Sequence, residues 1–199
     1  MRRLYYVPMV HTPFEAELTP AERAAFSPDF TRNIRQCWKG VGKQLDQALA
    51  RHNVLPRDLL IFCDAVPHPI SDTMRNRLLA LAGPHMPIAT FIRSLWRKGA
   101  QICGTEDQFL IELYVLCQAL YELSGKGRQG IIDAVRYRDE FIARHISRTL
   151  KEGQSAVLFI GSAHHTDRMI ARIAPDIRIH RITSFDALTS ELRKRYKKS

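Results

Sequence analysis

The sequence lacks the features of several large protein classes. It has only four cysteines, without the paired spacing of metal-binding loops, and no apolar run close to the roughly 20 residues of a membrane helix. It also has no glycine-rich dinucleotide fingerprint, no phosphate-binding loop and no Gly-x-Ser-x-Gly elbow. These absences disfavour a membrane protein, the common nucleotide-binding α/β proteins and the serine hydrolases.

The N-terminus does not indicate a signal peptide. The run from Leu4 to Val10 follows two arginines, but it is short, contains Pro8 and has no small-residue cleavage site, so we interpret it as a first strand. Cys63, Cys103 and Cys117 lie in apolar runs, where a thiol acts as a small core side chain. Both observations predict a cytoplasmic protein.

What is present describes an ordinary globular chain. Of its 199 residues, 45% are hydrophobic and 25% are charged, which suffices for one core without cross-links. No repeat, low-complexity segment or shift in composition marks a linker, so we predict a single domain over residues 1–199. The net charge of +10 is most concentrated in a basic tail at 193–199, which either aids solubility or binds a polyanion such as nucleic acid.

Strand-like and helix-like segments alternate along the chain. Apolar runs predict strands at residues 4–10, 59–63, 100–103, 157–160 and 177–182, and apolar residues at helical spacing predict helices between them. An amphipathic helix is predicted after the last strand. This alternation predicts an α/β protein with a three-layer α/β/α fold and a mostly parallel central sheet.

Two long helices are predicted in the second half of the chain. The first begins with Thr105 as its N-cap. Its apolar face consists of Phe109, Leu113, Leu116, Leu120 and Leu123. The second helix runs from Ile132 to Lys151. Its buried face consists of Ile132, Val135, Ile142, Ile146 and Leu150.

Arg138 and Asp139 interrupt the buried face of the second helix, at a point where an apolar residue is expected. A charge on a buried face must be paired. Arg138 therefore either closes a local ion pair between the helix and the sheet, or reaches an anionic ligand or an active-site carboxylate.

The carboxyl ends of parallel strands meet at one edge of a sheet, where ligands bind in open α/β folds. Four residues whose side chains can bind a cation or transfer a proton follow the predicted strands at that edge: His11, Asp64, Glu106 and His164. A histidine there can serve as a metal ligand or general base near neutral pH. A carboxylate there holds a cation or caps a turn, and Glu106 also suits the dipole of the following helix.

Two adjacent histidines follow the most apolar strand. Neighbouring side chains in an extended segment point to opposite sides, so only one of the two faces the cleft. We expect it to be His164, because Gly161 three residues earlier lets the backbone approach closely. His165 is expected to cap the next helix or to face solvent.

Arg138-Asp139, followed by an apolar strand and Gly161-x-x-His164, resembles the C-terminal signature of the TraB/Tiki superfamily. This superfamily includes the ChaN-like haem-iron proteins and the erythromycin esterases. The segment at 104–107 resembles a related strand-end motif of the same group. The resemblance implies an α/β domain with the activity of a metal-dependent hydrolase or peptidase.

Two functional hypotheses follow. In the first, the protein is a metal-assisted hydrolase in which His11, Asp64 and His164 hold a divalent cation: zinc, manganese or iron. His11, Glu106 and His164 then act in catalysis, and Arg138 binds the ligand. The substrate is a small molecule or a peptide, since peptide, ester and phosphoester bonds are all compatible. In the second hypothesis the same scaffold binds a haem-like metal complex or a nucleic acid without catalysis.

Overall fold

A computed structural model of the chain describes residues 1–9, 28–83, 86–161 and 164–187. Within these ranges, five strands form one parallel sheet in the order β3-β2-β4-β1-β5. The strands are β1 (Arg2–Met9), β2 (Leu59–Pro67), β3 (Gln101–Glu106), β4 (Ser155–Gly161) and β5 (Ile177–Arg181). The helices are α1 (Pro28–Arg51), α2 (Asp72–Ala80), α3 (Pro87–Arg97), α4 (Gln108–Ser124), α5 (Arg128–Thr149) and α6 (Thr166–Ile173).

The sheet is buried on both faces, as the apolar strands require. Tyr5 and Val7 of β1 pack in a core with α1 and α3, whereas Leu4 and Tyr6 pack in a second core with α5 and α6. Successive side chains of a strand point to opposite faces, so one strand supplies both cores. This arrangement confirms the predicted three-layer α/β/α fold.

The strand order places side by side the carboxyl ends of three strands that carry predicted functional residues. β2 lies between β3 and β4, so the residues at the carboxyl ends of these three strands are neighbours. Asp64 lies on β2, Glu106 is the last residue of β3, and His164 follows β4 by three residues. Residues far apart in the sequence are thereby brought to one point of the sheet edge.

The start of α4 differs from the prediction. Thr105 is not its N-cap, because pairing with β2 extends β3 as far as Glu106. The Thr105 hydroxyl instead donates a buried hydrogen bond to the Cys63 carbonyl of β2. The N-cap is Asp107, whose side chain accepts a hydrogen bond from the Leu110 N–H at 3.2 Å. Glu106 is therefore a strand-end residue rather than a first-turn residue of the helix.

Gly104 lies inside β3, where the predicted strand ended, and the β2 backbone crosses it closely. An added Cβ would lie 1.9 Å from the Pro67 carbonyl oxygen, a backbone atom that cannot turn away. We expect Gly104→Ala to lower the free energy of unfolding by about 2–3 kcal/mol, measured by urea denaturation. Gly83→Ala is the matched control, since its Cβ would meet nothing nearer than 3.9 Å. Equal stability of the two variants would contradict this expectation.

The predicted burial of the two long helices is only partly correct. Ile142 and Ile146 of α5, and Leu150 directly after it, are buried against the sheet, as expected. The predicted apolar face of α4 is instead mostly exposed, with Phe109 67% and Leu123 87% accessible, and Ile132 of α5 is also exposed. The reason is that α4 packs against α5, which itself covers the sheet.

Some predictions fall on residues that the structure does not describe. These are His11 within the segment 10–27, and both the basic tail and most of the predicted last helix within 188–199. These predictions stay predictions. In the described ranges, no helix combines the length and the apolar character needed to cross a membrane.

Candidate functional site

Five charged or titratable side chains converge at the carboxyl edge of the sheet. They come from β2, β3, α5 and the segment after β4: Asp64, Glu106, Arg138, Asp139 and His164. Each side chain is at most 9% exposed. Buried charges of this density must be paired and hydrogen-bonded with one another.

Arg138 joins two of the carboxylates to the helix. Its Nε donates to Glu106 Oε2 at 2.5 Å, and its Nη2 donates to Glu106 Oε1 at 2.8 Å and to Asp64 Oδ1 at 2.9 Å. The guanidinium also lies over the ring of Tyr114 on α4, 4.9 Å from its centre. The predicted ion pair between helix and sheet is therefore present, and the ligand-binding role of Arg138 stays a prediction.

Asp139 positions His164. Its Oδ1 is 2.7 Å from His164 Nδ1 and also accepts a hydrogen bond from the Thr166 hydroxyl, while its Oδ2 accepts from the backbone N–H of His165 at 3.0 Å. The carboxylate thus ties α5 to the first residues of α6. Since the Nδ1–H donates to Asp139, the other ring nitrogen of His164 is left for chemistry.

The second ring nitrogen of His164 faces Asp64. His164 Nε2 lies 3.8 Å from Asp64 Oδ2, and that oxygen accepts a hydrogen bond from the Gly161 N–H at 3.0 Å. The end of β4 thereby holds Asp64 in place, and Asp64 in turn presents a carboxylate to the imidazole. The histidine lies between two carboxylates, one on each nitrogen.

The pKa values of the two strand-end carboxyl groups are driven apart. Burial alone would raise the pKa of Asp64, but its hydrogen bonds and the nearby His164 and Arg138 charges outweigh this and lower it to about 2. Burial and the neighbouring Asp64 raise the pKa of Glu106, despite its bonds to Arg138. Asp64 is consequently ionised at neutral pH, and Glu106 is the carboxyl group that more readily holds a proton.

The Asp139–His164 pair stabilises an imidazolium. Burial alone would lower the pKa of His164, but the hydrogen bond to Asp139 and the charge of Asp64 raise it overall. Burial would likewise raise the pKa of Asp139, and its bonds to His164 and Thr166 lower it instead. The charged form of the His164 ring therefore persists to a higher pH than that of an ordinary histidine.

We expect the pKa of His164, measured by NMR titration of the imidazole, to lie above its ordinary value of about 6.5. Asp139→Asn should lower it, because the carboxylate that stabilises the charged ring is removed. Protonated His164 should stabilise the fold fully below about pH 6.5, and this contribution should be lost as pH rises through the folded-state pKa. A wild-type pKa below the ordinary value would contradict the pairing.

The described donors do not fit a metal site on their own. Asp64 and His164 converge, but both Asp64 oxygens already accept hydrogen bonds, from Arg138 and Gly161, and the guanidinium charge repels a dication. Among the described residues, no group of three His, Cys, Asp or Glu side chains could hold a metal ion. His11 lies outside those residues, so the predicted zinc, manganese or iron site stays a prediction.

Three of the four predicted strand-end residues, Asp64, Glu106 and His164, do come together. His165 faces solvent, one of its two expected positions, and its side chain makes no capping hydrogen bond. The sequence marks Asp139 only as a charge on a buried face and does not predict its contact with His164. The available signal for a functional role is its position next to Arg138, because both charges stand on the apolar face of the helix, where an apolar residue is expected.

No family model matches the chain, and neither the curated proteins nor the solved structures include one with significant similarity to it. The resemblance to the TraB/Tiki superfamily therefore stays a prediction. The evidence for a function is therefore the geometry of the site.

Proposed function

We propose that this protein is a hydrolase in which His164 transfers protons between water, substrate and the leaving group. The observation that supports this most is the hydrogen bond between His164 Nδ1 and Asp139, together with the approach of Nε2 to Asp64 at 3.8 Å. A carboxylate that fixes one imidazole nitrogen and leaves the other for proton transfer is the arrangement used in acid–base catalysis.

The roles follow from the charges. His164, with a raised pKa and an oriented ring, takes a proton from water or gives one to the leaving group. Asp64 stays ionised and stabilises the imidazolium that forms. Arg138 donates to both oxygens of Glu106 and also to Asp64, and so keeps both carboxyl groups in place. The catalytic role of Glu106 stays a prediction.

This proposal uses no metal step, because the described donors do not make a metal site. The predicted divalent cation is tested separately, by elemental analysis of protein purified without added metal, alongside the variant with alanine at both His11 and His164. Metal retained by the wild type and lost in that variant would support the metal-assisted form of the proposal. Equal metal content would overturn that form.

The hydrolase proposal is tested on p-nitrophenyl esters, p-nitrophenyl phosphates and a fluorogenic peptide mixture, which cover the three bond classes. We expect hydrolysis of one class, in a small molecule or a peptide, with a rate that depends on the ionisation of His164, whose pKa is raised. Four free cysteines support a reducing, cytoplasmic setting for this activity. Absence of hydrolysis in all three classes, with and without added zinc, manganese or iron, would overturn the proposal.

A second candidate is a non-catalytic binding protein on the same scaffold. It is favoured because the hydrogen-bonding groups of the cluster already bind one another. The Arg138 guanidinium binds two carboxylates, and Asp139 accepts three hydrogen bonds. Such a network also suits a purely structural role. Under this candidate, changes to the cluster alter stability, and no hydrolysis is detected for any substrate class.

A further inference from the structure

Helix α4 exposes an apolar surface that no other part of the described structure covers. We define the outer face of α4 and α5 by its large exposed apolar side chains: Phe109, Val115, Leu116, Leu120, Leu123 and Ile132. None of the residues of α4 is fully buried. A helix with apolar residues at three- and four-residue spacing normally buries them against a neighbour. α4 does so with its inner side against α5, and among the residues that the structure describes its outer side stays exposed.

Four of the five α4 members of this face lie on one continuous strip, and Val115 lies beside it. Phe109, Leu116, Leu120 and Leu123 are separated by seven, four and three residues, which places them along one side of the helix. Ile132 belongs to the first turns of α5, which follows α4 after a short turn and packs against it. The strip therefore extends from α4 onto the adjoining helix.

The size of the outer face matches one partner's share of a homodimer interface. Its six side chains are between 51% and 87% exposed. With side chains of about 150–200 Å² each, they present roughly 600 Å² of apolar area, the upper limit for a single patch on a monomer. A standard interface removes about 800 Å² from each partner, and about two thirds of a homodimer interface is apolar.

The charges beside the outer face favour a second copy of this chain as the partner. α4 carries two exposed glutamates, Glu112 and Glu122, and no lysine or arginine, although the protein has a net charge of +10. α5 exposes Arg128, Arg136 and Arg144, of which the last two also form exposed pairs with acids of their own helix. A two-fold axis that lays α4 of one copy on α5 of the other would place acids opposite bases while the apolar strips meet.

The same charges argue against a lipid surface. Helices that lie on anionic membranes carry lysine and arginine on their polar side. The only charged side chains of α4 are Glu112 and Glu122, which anionic headgroups repel. We therefore propose that the outer face of α4 and α5 is the interface of a symmetric homodimer, packed as two helical hairpins.

This interface would support the wall of the candidate site without contributing residues to it. Tyr114 on α4 lies against the Arg138 guanidinium, on the inner side of the helix. A partner seated on the outer side would hold α4 in place over the charged cluster. The proposal does not depend on the hydrolase activity, since it rests on α4 and α5 alone.

Sedimentation velocity of the full chain, at concentrations up to about 100 µM, tests the proposal. We expect the wild type to sediment at twice the monomer mass of 22.9 kDa. Leu116→Glu and Leu120→Glu should each weaken the dimer at least about a hundredfold, because a charge would be buried in the apolar strip. Circular dichroism should show an unchanged fold, since both side chains are more than half exposed in the monomer.

Leu81→Glu is the matched control, because Leu81 is 52% exposed at the end of α2, on the opposite side of the sheet. It should leave the dimer intact. The double change of Glu112 and Glu122 to lysine should weaken the dimer at least about tenfold, as the acid–base complementarity requires. A monomeric wild type would overturn the proposal, and so would a dimer that none of the α4 variants weakens. Binding of a monomeric wild type to phosphatidylglycerol vesicles would assign the face to a membrane instead.

Discussion

His164→Gln should lower kcat by about 10²–10⁴-fold on whichever substrate class the wild type cleaves. Glutamine can retain a hydrogen bond to Asp139, but it cannot gain or lose a proton near neutral pH. The variant therefore removes proton transfer and keeps the shape of the site. Steady-state kinetics at several pH values are the measurement, since the wild-type rate should follow the ionisation of a group of raised pKa that is missing in the variant.

His165→Gln is the matched control for this prediction. The side chain of His165 is exposed, and only its backbone N–H contacts Asp139, which the substitution keeps. It should leave kcat within about twofold of the wild type, as expected for a side chain outside the reacting centre. A His164→Gln enzyme with a rate close to that of the wild type would remove His164 from the catalytic role.

Arg138→Met should lower the free energy of unfolding by about 3–5 kcal/mol at neutral pH. The loss arises because Asp64 and Glu106 stay buried without the cation that both of them bind. Urea denaturation measures it, by linear extrapolation to water. The loss should shrink as pH falls, since protonation of the two carboxyl groups removes the unpaired charge.

Two further variants keep this prediction testable if Arg138→Met does not fold. The triple change Asp64→Asn, Glu106→Gln and Arg138→Met removes all three charges and should recover much of the loss. Arg144→Met is the control, because Arg144 forms an exposed pair with Glu140 on the same helix, and its loss should cost no more than about 0.5 kcal/mol. Equal effects of Arg138→Met and Arg144→Met would contradict the structural role of Arg138.

Together the two experiments distinguish residues that act in catalysis from residues that stabilise the fold within one cluster. Asp139 and His164 form a hydrogen-bonded pair with one imidazole nitrogen left for chemistry, whereas Arg138 is engaged by carboxylates from two strands. A change at His164 should therefore act mainly on the rate, and a change at Arg138 mainly on stability. If both changes affect stability alone, the non-catalytic binding protein is the better description.

The sequence by itself predicted the architecture and three of the five residues of the candidate site as strand-end residues. Alternating apolar runs and helical spacings are local properties, so they were sufficient for the parallel sheet, its two layers of helices and the edge at which Asp64, Glu106 and His164 lie. Position after a strand was enough to select these residues. Strand pairing was not visible locally, and for that reason Thr105 was predicted as a cap although β3 continues through it.

The partners of the buried charges were decided only by the tertiary structure. Arg138 meets Glu106 and Asp64 across 32 and 74 residues of chain, and the choice between an ion pair and a ligand depends on that long-range geometry. The same holds for Asp139, whose role appears only once His164 is beside it. Helical spacing also indicates which side of α4 is apolar but not what covers it, and the part of the chain that the structure describes leaves that side exposed. Periodicity is a property of one segment, whereas pairing and burial are properties of the whole chain.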